Sequence, residues 1–166
     1  MSEVTVWYLQ TLAPEELVAA TAPSVEATLL AEAEIKQYPF NRFLYQLVGG
    51  PWGWTDKLQW SEKQWQDYAE AEDLRTWVLW QQGSPAGYFE LQKRADTSVE
   101  ICYFGLAEKF IGKGLGGWLL SESIRQAWQW GAQRVEVNTC SLDHPSALAN
   151  YQARGMNIFR TESRPA

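Results

Sequence analysis

Residues 98–120 read SVEICYFGLAEKFIGKGLGGWLL. The stretch opens as a strand over 98–106, by its β-branched and aromatic content. It then crosses the string Gly112-Lys113-Gly114-Leu115-Gly116-Gly117 and continues as a long helix over 114–130. Leu120, Ile124, Ala127 and Trp128 share one face of that helix, and Gly131 ends it. The next segment, RVEVNTC at 134–140, is again a strand. A strand, a helix and a strand in direct succession require a parallel pair joined by a crossover.

Upstream the pattern is different. Residues 75–80, RTWVLW, lead through the turn QQGSP into AGYFELQKR, and a second break near Ala95-Asp96 leads back into residue 98. That is an antiparallel meander. Downstream, Pro145 opens a short helix closed by Gly155, and MNIFRT forms a last strand. Near the N-terminus VTVWYLQ, 4–10, is a strand, while the Ala- and Glu-rich residues 11–33 fit a helix and irregular structure equally well. Phe40, Phe43, Leu44, Leu47 and Val48 follow helical spacing up to Gly49-Gly50-Pro51, and GGPWGWTD at 49–56 is a loop. Ser61 and Gln64 form a capping box that opens a helix to about residue 71. The order is β, helices, βββ, α, β, α, β. It predicts an α/β fold of the α+β mixed-sheet kind: an antiparallel meander, then a parallel strand pair, with helices on both faces.

The 166 residues fit one domain, 1–166. Hydrophobic residues make up 46% and charged residues 20%, which excludes a disordered chain. No apolar run approaches the roughly 20 residues of a membrane span, and MSEVTVWYLQ has no signal-peptide pattern, so a cytoplasmic protein without a membrane partner is expected. A net charge of −6 without a basic run argues against nucleic acid and toward a small cationic partner. Cys102 and Cys140 have no metal spacing and read as small buried hydrophobes, and with His144 as the only histidine no metal is expected. Clustered tryptophans, among them Trp52, Trp54, Trp60 and Trp65, read first as core; any that are exposed favour a homodimer.

Successive N–H groups in a glycine loop at a helix start make an anion site, with pyrophosphate as the natural guest. A P-loop is excluded because Gly117 is followed by Trp118 rather than Lys. Gly112, Gly114 and Gly117 satisfy GxGxxG, but a dinucleotide fold is excluded: the fingerprint follows a meander, and too little chain remains for a doubly wound sheet.

The chain resembles the GNAT (Gcn5-related) N-acetyltransferases. Their acetyl-CoA motif, Arg/Gln-x-x-Gly-x-Gly/Ala, is matched at Gly114 and Gly116, with Ile111 where Arg or Gln is usual. Their later segment, Asn-x-x-Ala-x-x-x-Tyr-x-x-x-Gly-Phe, is matched at Ala147, Tyr151 and Gly155, with His144 and Met156 departing from it. The resemblance covers about residues 75–160. It implies acetyl transfer from acetyl-CoA to a primary amine by direct attack in a ternary complex, with a small cationic acceptor. The alternative is a non-catalytic acyl-CoA-binding module or sensor, for which Ile111 is the argument.

What the resemblance implies for single residues is specific. Main-chain groups of Phe104, Gly105 and Leu106 pair with pantetheine, and the Phe104 N–H polarises the thioester carbonyl. Gly112, Lys113, Gly114, Leu115, Gly116 and Gly117 cradle the pyrophosphate. Tyr151 lies near the sulfur as general acid, and His144 stands at a cofactor-contacting position. Glu100 aligns with the family's glutamate base. Lying four residues before Phe104 it is expected on the same strand face, and its apolar neighbours are expected to raise its pKa toward neutrality. The acceptor site falls in the loop after the first helix. Trp52 and Trp54 form its walls through cation–π contact, and Asp56 and Glu90 supply counter-charge.

Overall fold

In the computed structural model, residues 2–23 and 27–165 are described. One mixed sheet carries the fold. It contains β1 (Glu3–Thr11), β2 (Thr28–Glu32), β3 (Leu74–Gln81), β4 (Ser84–Lys93), β5 (Ser98–Leu106), β6 (Arg134–Cys140) and β7 (Asn157–Pro165). The strands lie in the order β2-β3-β4-β5-β6-β1-β7. Only β5 and β6 run parallel; every other adjacent pair is antiparallel. The helices are α1 (Tyr38–Gly49), α2 (Glu62–Ala69), α3 (Gly116–Gln129) and α4 (Ala147–Ala153).

Local chemistry explains most boundaries. Gln82 and Gly83 both take positive φ, 49° and 84°, so the β3–β4 turn has the backbone of a two-residue type I′ hairpin. The Ser61 hydroxyl accepts from the Gln64 N–H at 3.2 Å while the Gln64 side chain accepts from the Ser61 N–H at 2.9 Å, starting α2. Residues 86–91 of β4 are buried without a break because helices cover both faces of the central strands.

One face packs against α3 and α4. Phe89, Leu91, Val99, Ile101, Val135 and Val137 meet Leu119, Leu120, Ile124 and Tyr151 there. On the other face α1 covers Val78 and Tyr88 with Leu44 and Val48.

The structure amends the sequence reading in three places. A strand, β2, occupies part of the ambiguous 11–33 stretch and pairs with β3, after a 3-10 turn at Pro14–Glu16; residues 24–26 lie outside the described part. The last helix begins at Ala147, two residues after Pro145, with Ser146 as its N-cap. Both cysteines are half-buried on a cleft wall rather than enclosed in the core. No helix among the described residues is long and apolar enough to cross a membrane.

Candidate active site

The parallel pair is joined at one end only. Ser98, Val99 and Glu100 pair with Arg134, Val135 and Glu136; beyond these residues β5 and β6 diverge. A cleft of about 1080 Å³ fills the divergence, walled by residues 100–106 of β5 and 137–140 of β6.

The phase of the β4–β5 ladder decides which main-chain groups face the cleft. Ala107 N–H donates to Ala86 O at 2.8 Å, and the register from Tyr103/Glu90 to Leu106/Gly87 is unbroken. In an antiparallel ladder every second residue turns its N–H and C=O to its partner. Residues 103, 105 and 107 therefore bond β4, while Phe104 and Leu106 direct their main-chain groups toward the cleft. Gly105 spends its own on Tyr88, so of the three expected pairing residues two have the required orientation.

A bulge changes the side-chain faces. Glu90 pairs with Tyr103 and Leu91 with Ile101, leaving Cys102 as the extra residue. Val99 and Ile101 before it, and Phe104 and Leu106 after it, all lie on the α3 face. Glu100 consequently lies on the face opposite Phe104, which corrects the alternation expected from sequence. Its carboxylate accepts from Arg94, which also bridges Glu136; Arg134 pairs with Glu136 as well. Glu100 thus lies in an ionic cluster, not in the apolar setting expected of it.

The glycine loop runs from Ile111 into α3. Gly112 and Gly114 hold φ of +81° and +78°, and a Cβ on either would meet open space. Side chains here would strain the backbone and screen the amides, whereas glycine leaves them accessible. Among the described residues no side chain caps α3, so its first-turn N–H groups remain at the loop. Ile111, Gly112, Gly116 and Gly117 line the cleft; Lys113 and Gly114 are exposed beside it, and the Leu115 side chain is buried in the core. Gly117 has a second duty: a Cβ there would lie 2.4 Å from Arg154 Nη1, at the end of α4.

Tyr151 projects from α4 into the same cleft and is nearly buried. Its ring stands edge-on to Phe104 with centroids 6.2 Å apart. Burial, then the nearby Asp143 carboxylate, raises its phenol well above the ordinary value, so the proton is held at neutral pH. His144 lies in the turn before α4. Its Nδ1 accepts from the Ser146 N–H at 3.0 Å, and its ring meets Trp52 edge-on at 4.8 Å. The pair thus spans the cleft from the end of α1 to the β6–α4 turn, tying His144 to the expected acceptor wall.

At that wall Asp56 accepts from the Tyr103 hydroxyl at 2.6 Å and the Tyr45 hydroxyl at 2.8 Å. Burial opposes its charge, but the two phenols and Lys57 outweigh burial and hold the carboxyl below its ordinary range. Trp54 packs on Tyr103 and Tyr45, at 5.1 and 5.8 Å. Glu90 does not line the cleft. It is buried under α1 and α2, accepting from Asn41 Nδ2 at 2.8 Å and the Tyr68 hydroxyl at 2.5 Å. Sequence reasoning missed Tyr45, Lys57 and Tyr103. Tyr103 is adjacent to Phe104, but only the bulge turns it toward α1.

An open parallel pair, a bare-amide loop at a helix start and a buried phenol between them define an acyl-CoA acyltransferase architecture. The sequence profile of the Acetyltransferase (GNAT) family matches residues 32–156, and the chain belongs to that family. The mycothiol acetyltransferase of Corynebacterium efficiens is 35% identical over 80 residues, which cover 48% of this chain and 27% of that protein. A GCN5-related N-acetyltransferase from Kribbella flavida has a similar fold, with a TM-score of 0.69 at 17% identity, covering 96% of this chain and 56% of that one. An IAA acetyltransferase from Bacillus cereus aligns with a TM-score of 0.59 at 27% identity, over 80% of this chain and 79% of that one. The chain spans about a quarter of the curated relative (27%) and little over half of the Kribbella protein (56%).

Proposed function

We propose that this chain is an acetyltransferase that moves the acetyl group of acetyl-CoA to a primary amine of a small cationic molecule, by direct attack in a ternary complex. The observation that carries this reading is the divergence of β5 from β6, with cleft-facing main-chain groups at Phe104 and Leu106. An extended pantetheine chain pairs with an unpaired strand edge in the way another strand does. The residues fit the cofactor: the backbone at Gly112 and Gly114 has open space where a Cβ would lie, and amides at an uncapped helix start suit a pyrophosphate.

Bound there, acetyl-CoA supplies an activated acyl group. The Phe104 N–H is the donor to the thioester oxygen; fixed donors of this kind contribute about 3–4 kcal/mol to lowering a barrier. Tyr151 holds a proton beside Phe104 and serves as general acid toward the departing sulfur. Asp56, kept ionised at the cleft wall, attracts the acceptor's positive charge, and Trp52 and Trp54 enclose it. Glu100 serves as base only through the cleft-facing part of its ionic cluster, or leaves that task to water.

Calorimetric titration with acetyl-CoA, with NAD and ATP as controls, tests the reading. Micromolar binding of acetyl-CoA alone, followed by turnover with amines, is the expected result. Absence of acetyl-CoA binding overturns it and makes Ile111 the mark of a lost site.

A further inference from the structure

Lys57 lies just beyond the cleft wall with its side chain only 13% exposed. Its Nζ stands 4.2 Å from the centroid of Trp60, 4.8 Å from Tyr68 and 5.0 Å from Tyr103. One carboxylate oxygen, Asp56 Oδ2 at 3.5 Å, is the only hydrogen-bond acceptor recorded for its three donors among the described residues. The ammonium is therefore held chiefly by π faces. Three ring faces and one carboxylate also suit a cation with few or no N–H donors. Asp56 is the carboxylate that faces the caged charge.

The cage also communicates with the cleft. Tyr103 and Asp56 belong to both, and Tyr103 directly precedes Phe104. A lysine side chain leaves such a cage by rotating about its own bonds, without moving the backbone. An ammonium that replaces it restores the charge opposite Asp56.

We propose that the Trp60–Tyr68–Tyr103 cage is an ammonium subsite of the acceptor, occupied at rest by Lys57 and taken over by a second, non-reacting alkylammonium group of the substrate. The inference rests on the amine-acceptor reading above and narrows it. An ammonium kept charged in the cage is no nucleophile, so the amine that reacts is a different one, in the cleft. The substrate class is a primary amine that also carries an alkylated ammonium centre.

The test titrates tetramethylammonium chloride into the whole chain at constant ionic strength, with tert-butanol as the neutral control. In the wild-type protein, the Lys57 Hε resonances, shifted by the three rings, are expected to move toward solvent-exposed positions as the salt is added, and not with tert-butanol. In Lys57→Ala the side chain that fills the cage is removed, and tetramethylammonium is expected to bind at least about tenfold more tightly than to wild type, a difference of about 1.4 kcal/mol. Adding Tyr68→Leu to that variant should abolish the gain. Lys57 resonances that stay in place up to about 0.1 M salt, in a range where weak cation–π sites fill, overturn the proposal even if the variants fail to fold. So does equal binding of tert-butanol. Because no arm uses acetyl-CoA, a silent cage beside a working acetyl-CoA site refutes this inference alone.

Discussion

Tyr151 meets two requirements through one placement. Burial against Phe104 keeps its proton on at neutral pH, and the same packing directs the hydroxyl into the cleft. Replacing it with Phe keeps the ring and the packing and removes only the proton. Tyr151→Phe is expected to lower kcat by roughly 100-fold, with the calorimetric affinity for acetyl-CoA within about twofold of wild type, since the phenol is not part of the main-chain cradle. An unchanged kcat removes Tyr151 from the acid role. Glu90 carries the opposite kind of consequence. Burial raises its pKa above the ordinary 4.5, and the Asn41 and Tyr68 hydrogen bonds do not cancel that. The folded chain then holds this proton more tightly than the unfolded chain. Between 4.5 and the raised folded value, stability falls as pH rises, and the loss is complete above the folded value. Urea unfolding at pH 5 and pH 8 should show a smaller loss in Glu90→Gln than in wild type. Asp56, whose folded pKa is lowered, is present in both proteins and cancels in that comparison. Equal losses refute the assignment.

At the scale of elements, the sequence carries its information unevenly. The glycine string, the meander, the parallel crossover and the Ser61–Gln64 box are local patterns, and all of them correspond to elements of the structure. What the sequence does not disclose is set by distant partners. β2 is only five residues long and acquires its strand identity from β3. The bulge at Cys102 has no compositional mark, yet it reverses the face of every β5 side chain after it, which is why Glu100 and Tyr103 lie where the alternation rule does not put them. Glu90 reads as an available carboxylate until α1 and α2 cover it. One element boundary depends on a single glycine. Gly155 closes α4 at φ +95°, and a Cβ there would lie 2.0 Å from the Glu16 carbonyl oxygen in the N-terminal segment. Gly155→Ala combines a disfavoured dihedral with a backbone clash, so a loss of about 2–4 kcal/mol is expected in urea unfolding. A loss below about 0.5 kcal/mol, typical of a neutral surface change, shows that the segment around Glu16 yields freely.

Across the whole molecule the divergence of β5 and β6 divides the sheet into two lobes. One holds β2 to β5, the other β6, β1 and β7, and among the described residues the three residue pairs at the closed end are their only ladder contact. α3 packs on β4 and β5 of the first lobe and on β6 of the second, and hydrophobic packing across the α3 face completes the connection. A ligand that pairs with the Phe104–Leu106 edge and also reaches the start of α3 and Tyr151 bridges both lobes. Its binding free energy then opposes separation of the lobes as well as occupying a surface. Because the unfolded chain has no such cleft, a ligand at 100 times its Kd stabilises the fold by about 2.7 kcal/mol. For a chain of this length, each kcal/mol raises Tm by roughly 2–4 °C. Acetyl-CoA at that excess should therefore raise Tm by roughly 5–10 °C, while NAD at equal concentration leaves it unchanged. Tyr151→Phe should retain the full shift, because the stabilisation comes from binding rather than turnover. A shift that is equal for acetyl-CoA and NAD, or absent for both, means that the opening between the lobes does not serve as the acyl-CoA site.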